Sequence, residues 1–259
     1  MLPQFTTTEG QTPSSQNQSQ NNNYKITKKY IQHYIFKMVR YKQMDFDLAV
    51  FLMINSLKSP AKLYQHTKRL KQIRNQWHRD DPCLVSAISV LLFIIGFIYG
   101  IVLQKDFMIG YIICGLKMVL LHFALSGVIV SSICRWIAQQ YMRKEDKVEV
   151  HKTLNTIEPM YAFDIHCNAF FPMFVFCYVL QLFLLPLTNR EGIIPLLISN
   201  TLHFIGISYY FVLTFRGYAI LPFLRKQQYF LLPILLFALI YGVRSLFGIN
   251  TTILFLSYL

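Results

Sequence analysis

The sequence predicts an all-α membrane protein, with five transmembrane helices preceded by basic amphipathic interfacial helices. Three observations carry this reading. Hydrophobic residues make up 54% of the 259 and charged residues 14%, against about 25% charged in soluble chains. Several uncharged runs exceed the roughly 18 residues at which a membrane span becomes the default. The cations are segregated, with thirteen of the 25 Lys and Arg between Lys25 and Arg79.

Residues 1–23 are a low-complexity tail of Gln, Asn, Ser and Thr without an apolar h-region, so no cleavable signal peptide is expected. Such a composition cannot bury a core, and disorder is the expectation. Residues 24–81 form a basic region read as cytosolic. Within it, 45–57 (DFDLAVFLMINSL) is apolar but only 13 residues long. At 1.5 Å per residue it is too short to cross about 30 Å of hydrocarbon, so an interfacial or re-entrant helix is expected. Asp45 or Asp47 suits its N-cap, and Ser59-Pro60 ends it.

From Ala61 to Arg79 the pattern is amphipathic. Leu63, Leu70, Ile73 and Trp77 fall on one face at helical period. Lys62, Lys68, Arg69, Lys71 and Arg74 give the other face, suited to the headgroups of an anionic cytosolic leaflet.

The membrane domain is expected over 82–259. Asp81-Pro82 reads as N-cap and first helical residue of span one, about 83–103. Further spans are expected at about 112–134, 166–187, 193–215 and 229–246. The last residues, 247–259, either extend the fifth helix or lie at the far interface. Outside the spans, five alternating crossings put 21 Lys and Arg on one side and two on the other. The positive-inside rule then places the N-terminus in the cytosol and the C-terminus in the lumen. A sequon, Asn250-Thr251-Thr252, falls on the lumenal side but close to the membrane.

The five cysteines lie in or beside apolar runs with no CxxC spacing, and read as small hydrophobes. His122, His166 and Asp164 are the polar groups an intramembrane enzyme or carrier would use. No HExxH or GxSxG accompanies them, so no catalytic, cofactor or metal site is assigned. Aromatics interleave with lysines in 24–79, a weak RNA-binding signal without a recognisable module. Lys117 and Arg244, near span ends, are read as snorkelling. Asp164 is read as a helix cap or a partner for a nearby cytosolic-side arginine, such as Arg216.

Several strings stand out: Gln43-Met44-Asp45-Phe46, NQWHRDDP (75–82), YAFDIHCNAFFP (161–172), Asn200-Thr201 and GYAILPFL (217–224). In order and spacing, from about residue 30 to 250, they resemble the uncoordinated-fifty family of eukaryotic multi-pass membrane proteins. The resemblance implies a Golgi membrane protein, also associated with the inner nuclear membrane, linked to vesicular transport and to surface delivery of receptors. It implies guanine-nucleotide exchange factors for Arf GTPases and receptor cargo as partners, and RNA binding as a further attribute. It brings no catalytic residues. The candidate partner surface comprises Trp77, Arg79, Asp80, Asp81, Tyr161, Asp164, His166 and Asn168, all at the cytosolic membrane boundary or just inside it.

Overall fold

A computed structural model describes residues 36–37, 44–74, 76–104, 107–144 and 156–259. The tail 1–23, most of the basic stretch before Met44, and the loop residues 145–155 with Lys147 and Lys152 lie outside the described residues. The chain divides into two compact units, one of Met1–Met44 with Asp80–Pro82 and one of Asp45–Arg79 with Cys83–Leu259. In the first, Lys37 Nζ donates to the Asp80 carbonyl at 3.1 Å.

The second unit is helical, and among the described residues β structure is limited to one isolated bridge, Arg143 with Leu224. Two helices precede the spans. In α1 (Phe46–Lys58) the Asp45 carboxylate caps the start, accepting from the Leu48 N–H at 2.9 Å. Ala49, Leu52, Asn55 and Ser56 are buried, while Phe46, Val50 and Ile54 form an exposed apolar stripe at i, i+4, i+8. The buried polar pair is satisfied within the helix, Asn55 donating to the Phe51 carbonyl and Ser56 to that of Met53.

Pro60 then opens α2 (Pro60–Arg74), where its missing N–H costs nothing. Its buried residues are Leu63, Tyr64 and Thr67, not the expected Leu63–Leu70–Ile73–Trp77 face. The helix ends at Arg74, before Trp77, and Ile73 is 79% exposed. The face is set by Tyr64, whose hydroxyl donates to the Leu213 carbonyl at 2.7 Å.

Five helices are long and apolar enough to span a membrane: α3 (Cys83–Val102), α4 (Phe107–Tyr141), α5 (Pro159–Phe183), α6 (Ile193–Ala219) and α7 (Gln227–Leu246). The first starts one residue past Pro82, which therefore flanks the helix instead of opening it. In α3 and α4 the backbones come close at glycines. A Cβ on Gly96 would lie 2.7 Å from the Gly115 Cα. Small residues permit such approach where lipid gives no hydrophobic drive.

The most buried span is α5. Pro172 inside it lacks the N–H that would bond the Asn168 carbonyl, and a wider π turn follows at Val175–Leu180. At the other extreme, Leu232–Leu246 of α7 has no buried residue.

The C-terminal residues do not extend α7. Gly248 turns the chain at φ +70°, a conformation glycine adopts freely. Then α8 (Thr251–Tyr258) runs back among the spans. Ser199 and Asn200 of α6 hold its start, and Phe255 meets the rings of Tyr99, His122, Tyr178 and His203. Lys117 reaches the residue that follows α8. Its Nζ donates to the Leu259 carbonyl at 3.2 Å, while Arg244 donates to the Thr251 hydroxyl. Asn250 is buried as the cap of α8, accepting from the Thr252 N–H and donating to the Thr188 carbonyl.

Candidate functional site

The end of the bundle that gathers the start of α5 and the ends of α4 and α6 receives the segment between α2 and α3. Trp77, His78 and Arg79 cross it in a non-helical run, so their backbone donors need partners from elsewhere. Two carboxylates of the α5 region supply all three. Glu158 accepts from the N–H groups of Trp77 and His78, each at 3.1 Å, and from His78 Nδ1 at 2.5 Å. Asp164 accepts from the Arg79 N–H at 2.7 Å and pairs with its guanidinium at 3.3 Å.

The ion pair is internal, with Arg79 8% and Asp164 5% exposed. Desolvating two charges is costly and is offset only by close contact and further hydrogen bonds. Here the Arg79 Nη2 also reaches the Asp164 carbonyl at 3.5 Å. Asp164 thus does not cap α5, whose N-cap is Glu158; it partners an arginine, Arg79 instead of Arg216. Burial alone pushes the Glu158 carboxyl up. Hydrogen bonds from the His78 side chain and N–H and from the Trp77 N–H outweigh it and hold the group below its ordinary range.

Aromatic packing completes the latch. Trp77 lies 5.9 Å from Tyr161, centroid to centroid, and Lys71 Nζ sits 5.5 Å from the indole ring. The Tyr161 hydroxyl donates to the Gly217 carbonyl at 2.7 Å. A side chain at 217 would collide with Ile165, within 2.8 Å. Beneath lie Tyr218, Leu221, Phe223 and Leu224 in one core cluster with Trp77 and Tyr161, and Phe230 stacks on Tyr218 at 4.4 Å. Three of the sequence strings, QWHR, YAFD and GYAILPFL, therefore meet in one place.

The side chains expected to form an open partner surface lie largely inside the fold. Trp77, Arg79, Tyr161, Asp164, His166 and Asn168 are buried, so they support a surface from beneath. Asp80 and Asp81 are half-buried and belong to the other unit. Of the cations expected to meet headgroups, Lys62, Lys68, Arg69 and Arg74 are exposed, whereas Lys71 is half-buried against Trp77.

His122, His166 and Asp164 do not converge. His122 bonds the Tyr178 hydroxyl, His166 the Tyr210 hydroxyl, each at 2.9 Å, and Asp164 holds Arg79. Among the described residues no three His, Cys, Asp or Glu side chains are grouped to hold a metal. All five cysteines are buried, and none is joined to another in a disulfide. Sequence reasoning missed Glu158, the acceptor of three hydrogen bonds. The available signal was an acidic residue before Pro159 at the start of a long apolar helix.

A family profile described as the UNC-50 family matches residues 34–259. The chain belongs to the UNC-50 family. The profile covers every described residue, and curated relatives agree with it. The chain is 35% identical over 232 residues to the protein unc-50 homolog of Dictyostelium discoideum, covering 89% of this chain and 88% of that one. It is 35% identical over 215 residues to the protein GMH1 homolog of Schizosaccharomyces pombe, covering 83% and 91%. The human protein unc-50 homolog is 32% identical over 220 residues, covering 85% and 83%. No solved structure matches this UNC-50 family member.

Proposed function

We propose that this chain is a non-enzymatic Golgi membrane protein that supports vesicular trafficking and receptor delivery by holding a basic platform at the cytosolic face. Arf exchange factors are the partners of that platform. Family membership and the five spans support the general reading. The specific reading rests on one observation: the latch of Trp77–Arg79 onto Glu158 and Asp164 fixes α2, whose Lys62, Lys68, Arg69 and Arg74 stay exposed. A helix held at both ends presents those cations as a fixed array, to acidic protein surfaces or anionic headgroups.

The test must spare the latch. Charge reversal at Arg79 removes a buried ion-pair partner and disturbs the fold, so it does not isolate recruitment. K68E/R69E/R74E changes exposed side chains only. With a labelling enzyme on the N-terminus, the unaltered chain is expected to label Golgi proteins and Arf exchange factors. The triple variant is expected to insert and localise normally while losing most exchange-factor label. Unchanged labelling by the variant overturns the platform.

A further inference from the structure

Between the last turns of α4 and the start of α7 lies an apolar cleft of about 800 Å³, within the roughly 300–1,000 Å³ range of small-molecule sites. Its lining includes the buried Cys134, Met142 and Phe230 and the exposed Ile133 and Leu236. The cleft has a distinct polar end. There the chain after α4 is strapped to the chain before α7: the Lys144 N–H donates to the Phe223 carbonyl at 3.0 Å, and the Arg225 N–H to the Met142 carbonyl at 2.6 Å. Lys144 Nζ also reaches the Pro222 carbonyl.

This strap brings Arg143, Lys144, Arg225 and Lys226 to the cleft's mouth: Arg143 and Lys144 follow the lining residue Met142, whose carbonyl takes the Arg225 N–H, and the lining Tyr229 N–H donates to the Lys226 carbonyl at 3.1 Å. Arg225 and Lys226 are exposed. Tyr141 and Tyr229, also in the lining, are exposed as well. Amphipathic tyrosine rings mark the boundary between headgroups and acyl chains. One cleft therefore joins an apolar slot at hydrocarbon depth to cations at headgroup depth.

The geometry points to a binding site for one anionic glycerophospholipid, an acyl chain in the cleft and the phosphate at Arg225 and Lys226. Charge complementarity selects this occupant, because basic pockets between transmembrane helices suit anionic headgroups. A spanning helix of another protein, about 10 Å across and 30 Å long, is too bulky to enter whole and brings no anion to the mouth. The site is separate from the α2 platform, so either reading can fail while the other stands.

The full chain is reconstituted in nanodiscs of equal phosphatidylserine and phosphatidylcholine with matched acyl chains, and retained lipid is counted by native mass spectrometry. The expected result is one phosphatidylserine kept severalfold over phosphatidylcholine. R225Q/K226Q, on exposed positions, is expected to bring the two lipids to parity. I133W/L236W, filling the cleft from exposed positions with the cations intact, is expected to empty it. Glycerophosphoserine, which lacks acyl chains, is expected not to displace the lipid. Equal retention of both lipids by the unaltered chain overturns the proposal. So does undiminished phosphatidylserine in I133W/L236W, or displacement by the chain-free headgroup.

Discussion

Asp164 is the sixth residue of α5, where a carboxylate in the buried interior needs every lone pair occupied. It meets the Arg79 N–H with one oxygen and the guanidinium with the other. D164A strands both donors, so a loss of about 3–5 kcal/mol is expected, the range for breaking a buried pair from one side. R79M/D164N retains an acceptor for the N–H and removes both charges. It is expected to recover much of the loss, read as the unfolding midpoint in detergent micelles. Equal destabilisation of the double variant and D164A would mean that shape, not charge, decides. Glu158 adds a pH dependence. Its carboxyl is held below the ordinary carboxylate value, so in acid the unfolded chain binds the proton first and stability rises with pH there. The stability it contributes is complete above about pH 4.3 and is lost as pH falls through the lower folded value. In melts from pH 7 to pH 3, the unaltered chain is expected to lose this margin over E158Q. Parallel curves would refute the assignment.

At the scale of elements, the pairing of α3 with α4 depends on absent side chains. A Cβ on Gly96 would stand 2.7 Å from a Gly115 backbone atom, and one on Gly100 2.8 Å from the Tyr111 Cα. Backbone cannot rotate away, so the helices must separate. G96L is expected to cost at least the 1–3 kcal/mol typical of overpacking, whereas Gly242, with nothing within 4 Å of its position, should accept leucine at no loss. Thermal melts of the two variants make the comparison. The five spans were legible in the sequence because length and apolarity are properties of a segment taken alone. The face of α2 was not. Helical period carried Trp77 onto a helix that stops at Arg74, and a bond from Tyr64 to Leu213, 149 residues away, helps to orient it. The same holds for α8: its sequence is apolar enough to extend a span, but Gly248 and the Asn250 cap turn it back. At the candidate site, the strings Trp77–Arg79 and Tyr161–Asp164 were visible as motifs. Their contact with each other was not, since a charge at a membrane boundary reads equally as surface and as half of a buried pair.

For the whole molecule, orientation follows from where cations sit once the helices are threaded. The chain before α3, the connection from α4 to α5 and the connection from α6 to α7 alternate with two short connections at the opposite end. Leaving aside the four cations inside the helices, Lys117, Arg135, Arg216 and Arg244, 19 Lys and Arg belong to the first set and two, Lys105 and Arg190, to the second. Translocating the basic set is disfavoured, so we propose that these connections face the cytosol. Accessibility to a membrane-impermeant maleimide tests this. The native cysteines are all buried, which keeps background labelling low. R69C and K226C, at exposed positions of the basic set, are expected to react in sealed microsomes. E191C, exposed between α5 and α6, is expected to react only after permeabilisation. Asn250 should carry no glycan even though this topology faces its sequon to the lumen, because its amide is committed to Thr188 and Thr252. An endoglycosidase that leaves gel mobility unchanged fits this. Labelling of E191C in sealed microsomes, with K226C protected, would invert the protein and move its basic platform away from the cytosolic exchange factors it is proposed to meet.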